Sequence, residues 1–419
     1  MTAASAWHSA IRARGRGAAL IALGAALAVG MAAGVACAKD DQPGGSSPGV
    51  TDTEIVLGTH FPLSQHLAAA YAPMATAGMK GYFDYVNDHG GVNGRKIRLL
   101  IEDDHYAPSD TAEVVRKLVE QDNVFAVVGG LGTATHSAVS QFLEDRGVPD
   151  MFVLSGASKF TEPVVKSRFG GNPDYLTEGK ILGTYIARQY PRAKLALILQ
   201  NDDFGGDGER GIEEGIAGSG VTIVVRENYE STETDLTSHV QRARNAGADV
   251  VVAYTLPPQG ANVVKVAREV LNWDVPVVVT GVDATDIFVD LAGKQNAEGV
   301  VSVVFGKQIY ETDDPGIAKH IEMVKQYGGG APPSNLTVTG QAMAELMVEA
   351  LTKAGRDLTR QSLIDAAESI SNFTCSVCLV PVNLSTTDHR PFEVEQFVRM
   401  QEGKWTAFGE PIGFESTKP

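Results

Sequence analysis

Phe125-Ala126-Val127-Val128-Gly129-Gly130-Leu131-Gly132-Thr133-Ala134-Thr135-His136 is the stretch from which the fold can be read. Residues 125–128 are apolar with two valines, the pattern of a strand covered on both faces in a parallel sheet. Gly129, Gly130 and Gly132 allow a sharp turn and leave its backbone uncovered. Thr133 and Thr135 are candidate N-caps for a helix expected over 137–146. A helix start carries unpaired N–H groups and a partial positive charge, which suits a small anion such as a carboxylate. The plainer alternative is an ordinary strand-to-helix turn with a capping threonine. A nucleotide loop is excluded. No Lys-Ser or Lys-Thr follows, and Gly130-x-Gly132-x-x-Thr135 lacks the third glycine of a dinucleotide fingerprint.

Working outward, strands and helices alternate. An apolar strand at 54–58 ends in a loop over 59–64, through Pro62, Leu63 and Ser64. A helix follows to about residue 87, with Met74, Gly78, Tyr82 and Val86 at helical spacing. A strand at 96–102 closes on Asp103-Asp104, and the helix at 111–121 is expected to turn Val114, Val115, Leu118 and Val119 inward. A strand at 151–154 ends in Ser155-Gly156-Ala157. A second series starts near Tyr175, with helices at 177–189, 208–217, 236–246 and 260–271 between strands at 194–199, 222–227, 249–254 and 275–280. A strand at 300–304, helices at 315–327 and 339–354 and a strand at 392–400 return to complete both halves. Two successive βα series predict an α/β protein of two doubly wound parallel-sheet lobes, whose ligands bind outside the carboxyl ends of the strands.

The 419 residues, 43% apolar and 21% charged, suffice for two or three lobes with real cores. A formal charge of -16 argues against nucleic acid and anionic membrane surfaces as partners. Arg12, Arg14 and Arg16 precede an apolar run at 18–35, with no acid before Asp40. That order is a secretion signal over 1–36. It ends in Gly34-Val35-Ala36-Cys37, which resembles a bacterial lipobox with Gly34 where Leu is usual, so Cys37 is the expected lipid anchor. The alternative is an uncleaved membrane anchor, for which the run is marginally long enough. Residues 37–52 read as a flexible tether. Cys375 and Cys378 stand as a Cys-x-x-Cys pair, a local disulfide by spacing and exported context, with free thiols or half a zinc site as alternatives.

Several motifs stand together in order: Pro62-Leu63-Ser64, the run from Asn87 through Gly90-Gly91-Val92-Asn93-Gly94-Arg95-Lys96-Ile97, Asp103-Asp104, Val127-Val128-Gly129 and Asn201-Asp202-Asp203-Phe204-Gly205. They resemble the periplasmic leucine/isoleucine/valine-binding proteins, the ABC-transporter receptors of the type I binding-protein fold, over roughly 53–415. The resemblance implies a lobe of 53–174 with 305–378, a second of 175–304 with 379–419, and a three-strand hinge crossing near 172–175, 303–306 and 378–381. It implies a ligand enclosed between the lobes by hinge closure. Carried over residue by residue, Gly132, Thr133 and Ala134 form the carboxylate turn. Ser155, Ala157 and Ser158 form a second contact, Phe204 stands where the family often has Tyr, Leu256 sits in the covering loop, and Ser64 closes the first strand's end. Phe204 as plain core packing and Thr133 as a simple cap are the competing readings.

One departure bears on the ligand. The amino-acid binders place an acid for the ligand ammonium where this chain has Gly281, and Asp283 is the candidate substitute. The wording at 155–159 and 387–391 resembles a branch that takes other small organic acids, aromatic ones included. Gln65, in place of a usual Gly, is expected to narrow the cleft. The implied function is an extracytoplasmic solute-binding lipoprotein of a branched-chain-amino-acid-type ABC importer, taking a small amino acid or organic acid carboxylate. Its implied partners are ABC permease subunits, and it meets the membrane through the lipid only. The alternative is a same-fold sensor for an amide or aromatic acid that feeds a regulator. No cofactor or metal is expected. An enzyme is disfavoured because the nine His residues are scattered, and adjacent Asp103-Asp104 and Asp202-Asp203 on strands point to opposite faces.

Overall fold

The computed structural model of the protein describes residues 47–414. The segment expected to be a signal peptide, Cys37 and most of the expected tether fall outside the described residues. The first sheet contains β1 (Glu54–Phe61), β2 (Lys96–Asp103), β3 (Ala126–Val128), β4 (Asp150–Val153) and β5 (Arg168–Gly170). Its order is β2-β1-β3-β4-β5, with every pairing parallel. The second sheet runs through β6 (Lys194–Gln200), β7 (Thr222–Tyr229), β8 (Val250–Tyr254), β9 (Val277–Val279), β10 (Val301–Val304), β11 (Val394–Gln401), β12 (Lys404–Ala407) and β13 (Ile412–Gly413). Its order is β12-β11-β10-β9-β8-β6-β7, with β13 beside β11. The β7-to-β10 part is parallel, and the returning β11 adds on antiparallel.

Helices cover both faces of each sheet, and the strands show why. Ile55 and Leu57 of β1 pack into one core, while Val56 between them packs into the core on the other face. In β6, Ala196 and Ile198 face one way and Leu195, Leu197 and Leu199 the other. Alternation with both faces apolar is what a central parallel strand requires. Lobe 1 also takes in the helix Asn335–Ala354, whose Met343, Leu346 and Met347 join the core of Phe61 and Phe125.

Three segments cross between the sheets. Two of them pair, through an antiparallel bridge between Gly306 and Cys378 and a 2.9 Å bond from Lys307 N–H to the Val377 carbonyl. Cys375 and Cys378 are joined as a disulfide beside this bridge.

Several elements differ from the sequence reading. The helix expected at 137–146 is two short ones, Thr133–Ser137 and Ser140–Asp145. Neither threonine caps: the N-cap is Gly132 at φ 106°. Thr135 Oγ1 instead donates back to the Leu131 carbonyl at 2.6 Å. The long helix before residue 87 is a turn at Leu67–Tyr71, a π-helical stretch Met74–Met79 and the α-helix Lys80–Asp88. The helix expected from 208 starts at Asp203, because Asp202 caps it through Phe204 N–H at 3.0 Å. β5 and the helices Asp286–Ala292 and Arg360–Glu368 went unread.

Candidate functional site

The carboxyl ends of both sheets face a cavity of about 1040 Å³, counted out to its open mouth. Lobe 1 supplies Tyr71, Met74, Tyr106, Leu131, Gly132 and Thr133. Lobe 2 supplies Tyr175, Glu178, Phe204, Leu256 and Gly281. An apolar arm reaches the hinge crossings, where Val304, Phe305, Leu336, Val338, Val377 and Phe392 line it. The lobes touch around this space. Tyr71 Oη donates to the Val282 carbonyl at 3.2 Å, and the His66 ring meets the Ser231 carbonyl at 3.0 Å. Ser158 N–H donates to Asp207 at 2.7 Å, and Lys159 pairs with Asp203.

Of the residues singled out from sequence, Gly132, Thr133, Phe204 and Leu256 lie on the cavity wall. Phe204 does so while packed against Tyr175, with ring centroids 4.7 Å apart. Leu256 reaches across to join the lobe 1 core. Thr133 is 3% exposed, and its hydroxyl lies 2.8 Å from Ser155 Oγ. Ser155 therefore stands behind Thr133 rather than on the wall. Ser64, Ala134, Ala157 and Ser158 are also absent from the wall. Ser64 Oγ is drawn off to Asp103 at 2.6 Å, and Ser158 serves the lobe contact. Gln65 points to His105 at 3.0 Å and is not part of the lining.

Asp283 also fails to reach the cavity. It is fully buried, and its Oδ2 accepts from Thr255 Oγ1 at 2.6 Å. Burial pushes its carboxyl well above the usual range, against the pull of Thr255. The acid on the wall is one that sequence reasoning missed, Glu178. It lies one helical turn past Tyr175, so both face the cleft. Its Oε1 accepts from Thr280 Oγ1 at 2.7 Å. A Cβ at position 281 would lie 3.0 Å from its Oε2, so glycine there leaves room for the carboxyl against the strand end. Burial pushes this carboxyl up to about 7, although hydrogen bonds from Thr280, Tyr254 and the Gly281 backbone favour its charged form. The buried Glu395 is raised as well, by burial and by the nearby charge of Glu178. Lys307, on the wall at the hinge end, is held by Asp314 at 2.9 Å and by the Ser376 carbonyl.

A cleft between two parallel-sheet lobes, lined by strand ends and spanned by three crossings, is the geometry that a comparison with known proteins can place. Residues 54–404 match the family model described as periplasmic binding protein. The chain belongs to the periplasmic binding protein family. A relative from Brucella abortus, named Leu/Ile/Val-binding protein homolog 7, is 24% identical over 321 residues, covering 74% of this chain and 79% of that protein. A branched-chain amino acid ABC transporter protein from Thermus thermophilus, solved with bound valine, superposes with TM-score 0.79 at 20% identity, covering 88% of this chain and 99% of that one. A fatty acid ABC transporter substrate-binding protein from Thermomonospora curvata gives TM-score 0.79 at 23% identity, covering 88% and 95%. This periplasmic binding protein thus has the type I fold of two α/β lobes. No described helix is long and apolar enough to cross a membrane. Among the described residues no group of His, Cys, Asp and Glu is arranged to hold a metal ion.

Proposed function

We propose that the protein is an extracytoplasmic solute-binding receptor of an ABC importer, whose cleft takes a small organic acid with one carboxylate and an apolar body. The observation that carries the ligand reading is the make-up of the wall. Apolar groups from both lobes and the hinge dominate it, Gly281 lines it where the family resemblance implies an acid for an ammonium, and Asp283 is sealed under Thr255. The acid present, Glu178, is held toward its neutral form. A zwitterion would bury an ammonium against a group that resists ionising, which is costly. A carboxylate at Thr133 with its body along the apolar arm has no such conflict. The relatives' names span both chemistries, valine in one structure and fatty acid in another.

The second reading is an amino acid, for which Glu178 would ionise and meet the ammonium. Its presence on the wall is the observation that favours it. ABC permease subunits are the proposed partners, and Cys37 the proposed lipid anchor, on its lipobox setting. Mass spectrometry of the membrane fraction should find Cys37 diacylated at the mature N-terminus. The ligand is tested by thermal shift with benzoate, octanoate, leucine and valine, since a ligand at 100 times its Kd adds about 2.7 kcal/mol. A carboxylate without an amine should give the larger shift. Stabilisation by leucine and valine alone would reverse the reading.

A further inference from the structure

Beneath the binding turn lies a chain of fully buried groups that the cleft does not use. Asp104 Oδ2 is 2.8 Å from His60 Nδ1, and His60 Nε2 is 3.0 Å from His136 Nδ1. His136 Nε2 is 2.8 Å from Asp150 Oδ2, which also accepts from Arg168 Nε at 3.1 Å. Both imidazoles and both carboxylates are 0% exposed. The chain links the ends of β1 and β2, the helix after the turn, β4 and β5. It also touches the turn itself: a Cβ on Gly130 would lie 2.3 Å from His60 Nε2 and 3.1 Å from His136 Nδ1.

Protons can be counted along it. Three hydrogen bonds need three protons, one between each neighbouring pair. Two neutral imidazoles bring one N–H each, and ionised carboxylates bring none. One more proton is required, wherever along the chain it sits. With it the four groups carry a net charge of minus one, which Arg168 cancels. Without it one contact becomes two facing lone pairs, and a net negative charge is left in a dry core.

We infer that His60 and His136 together hold one proton beyond those of two neutral rings, and that this buried proton is what sets the binding turn. The two histidines are thus positioning residues for Gly132 and Thr133. Burial pushes His136 down. Burial alone would raise Asp150, but His136 and Arg168 outweigh it and hold that carboxyl below its usual range. The other groups facing the chain are few. Thr111 Oγ1 donates to Asp104 at 3.1 Å, and Tyr106 N–H donates to its other oxygen at 3.0 Å. His66 and His105 feel the Asp104 charge. Glu144 lies 3.6 Å from Arg168, His389 meets the Arg168 carbonyl, and Phe160 stands edge-on to His136. Loss of the proton at raised pH should therefore loosen the turn, a charge effect that no packing role would produce.

The test needs no ligand, so it stands apart from the ligand reading on which its functional meaning rests. Histidine ring nitrogens of the full mature protein are observed by 15N NMR from neutral to alkaline pH, with amide exchange followed at Gly129, Gly130 and Gly132. Three ring N–H protons on His60 and His136 are expected at neutral pH. One should disappear as pH rises, and turn protection should fall at least tenfold with the same midpoint. His136→Gln should show the weak protection at every pH. Two ring N–H protons throughout would overturn the proposal. So would a third proton whose loss leaves the turn's exchange unchanged.

Discussion

At the scale of single residues, the proposed reading rests on Thr133 and Glu178, both on the cavity wall. Thr133 lines the cavity with Ser155 Oγ 2.8 Å behind its hydroxyl, and in the proposed reading that hydroxyl meets the ligand carboxylate. Thr133→Ala should weaken binding by about 1–2 kcal/mol, the loss of a hydrogen bond to a charged group. Thr133→Ser should restore most of it, because the hydroxyl returns. Calorimetric titration with the best carboxylate from the thermal-shift panel reads both. Glu178 gives a pH signature. Its folded value, about 7 against an ordinary 4.5, means the folded protein holds the proton more tightly than the unfolded chain. Stability from this group is full below about pH 4.5 and declines as pH rises toward about 7. Glu178→Gln stays neutral. Denaturant melts across that window should show wild type losing more stability than the variant, by on the order of a few kcal/mol. Equal pH slopes would show that Glu178 is not held neutral. The sequence offers Thr133 as one of two readings and gives no sign of Glu178. Thr133 was picked out as a cap and as a contact, but only the structure frees it from capping. Glu178 has no motif, and what reveals it is the space left by Gly281, more than a hundred residues away.

Among the elements, the pair of helices that carries Glu178 and Phe204 decides the geometry of the far wall. The helices Tyr175–Gln189 and Asp203–Ile216 touch backbone to backbone. A Cβ on Gly211 would sit 2.0 Å from the Leu176 carbonyl, and one on Gly179 would sit 2.5 Å from the Gly208 carbonyl. Two effects compete in Gly211→Ala. Helix propensity favours alanine by about 1 kcal/mol. Overpacking against rigid backbone costs about 1–3 kcal/mol or more, and should win. Gly206, in the same helix, would meet nothing within 4 Å. Gly206→Ala should therefore be neutral or slightly stabilising. Chemical denaturation of the two variants checks the contrast, and a harmless Gly211→Ala would refute the close crossing. The sequence announced these helices by their apolar spacing but not their intimacy. Strands and helices with strong periodicity were legible, whereas β5 was not, because Arg168-Phe169-Gly170 carries a single large apolar residue. The helix after the turn was misjudged because nothing in 133–146 marks the break at Ala138 and Val139.

For the molecule as a whole, the two lobes, the cleft at the strand ends and the crossings followed from the βα alternation and the family resemblance. The ligand did not, since it depends on which side chains of two distant strand ends meet. The contacts of Tyr71, His66 and Ser158 with the opposite lobe enclose the space, so what is charged inside it decides what can stay. In the proposed reading a carboxylate with an apolar body binds while Glu178 remains neutral. Proton exchange on binding tests this most directly, by calorimetry near pH 7 in buffers of different ionisation enthalpy. With Glu178 half ionised at about 7 in the free protein, binding of benzoate or octanoate should take up as much as about half a proton per site. Glu178→Gln should abolish that uptake. Tight leucine binding with release of a proton, lost in Glu178→Gln, would contradict the account and make the site an amino-acid site with Glu178 as its ammonium partner.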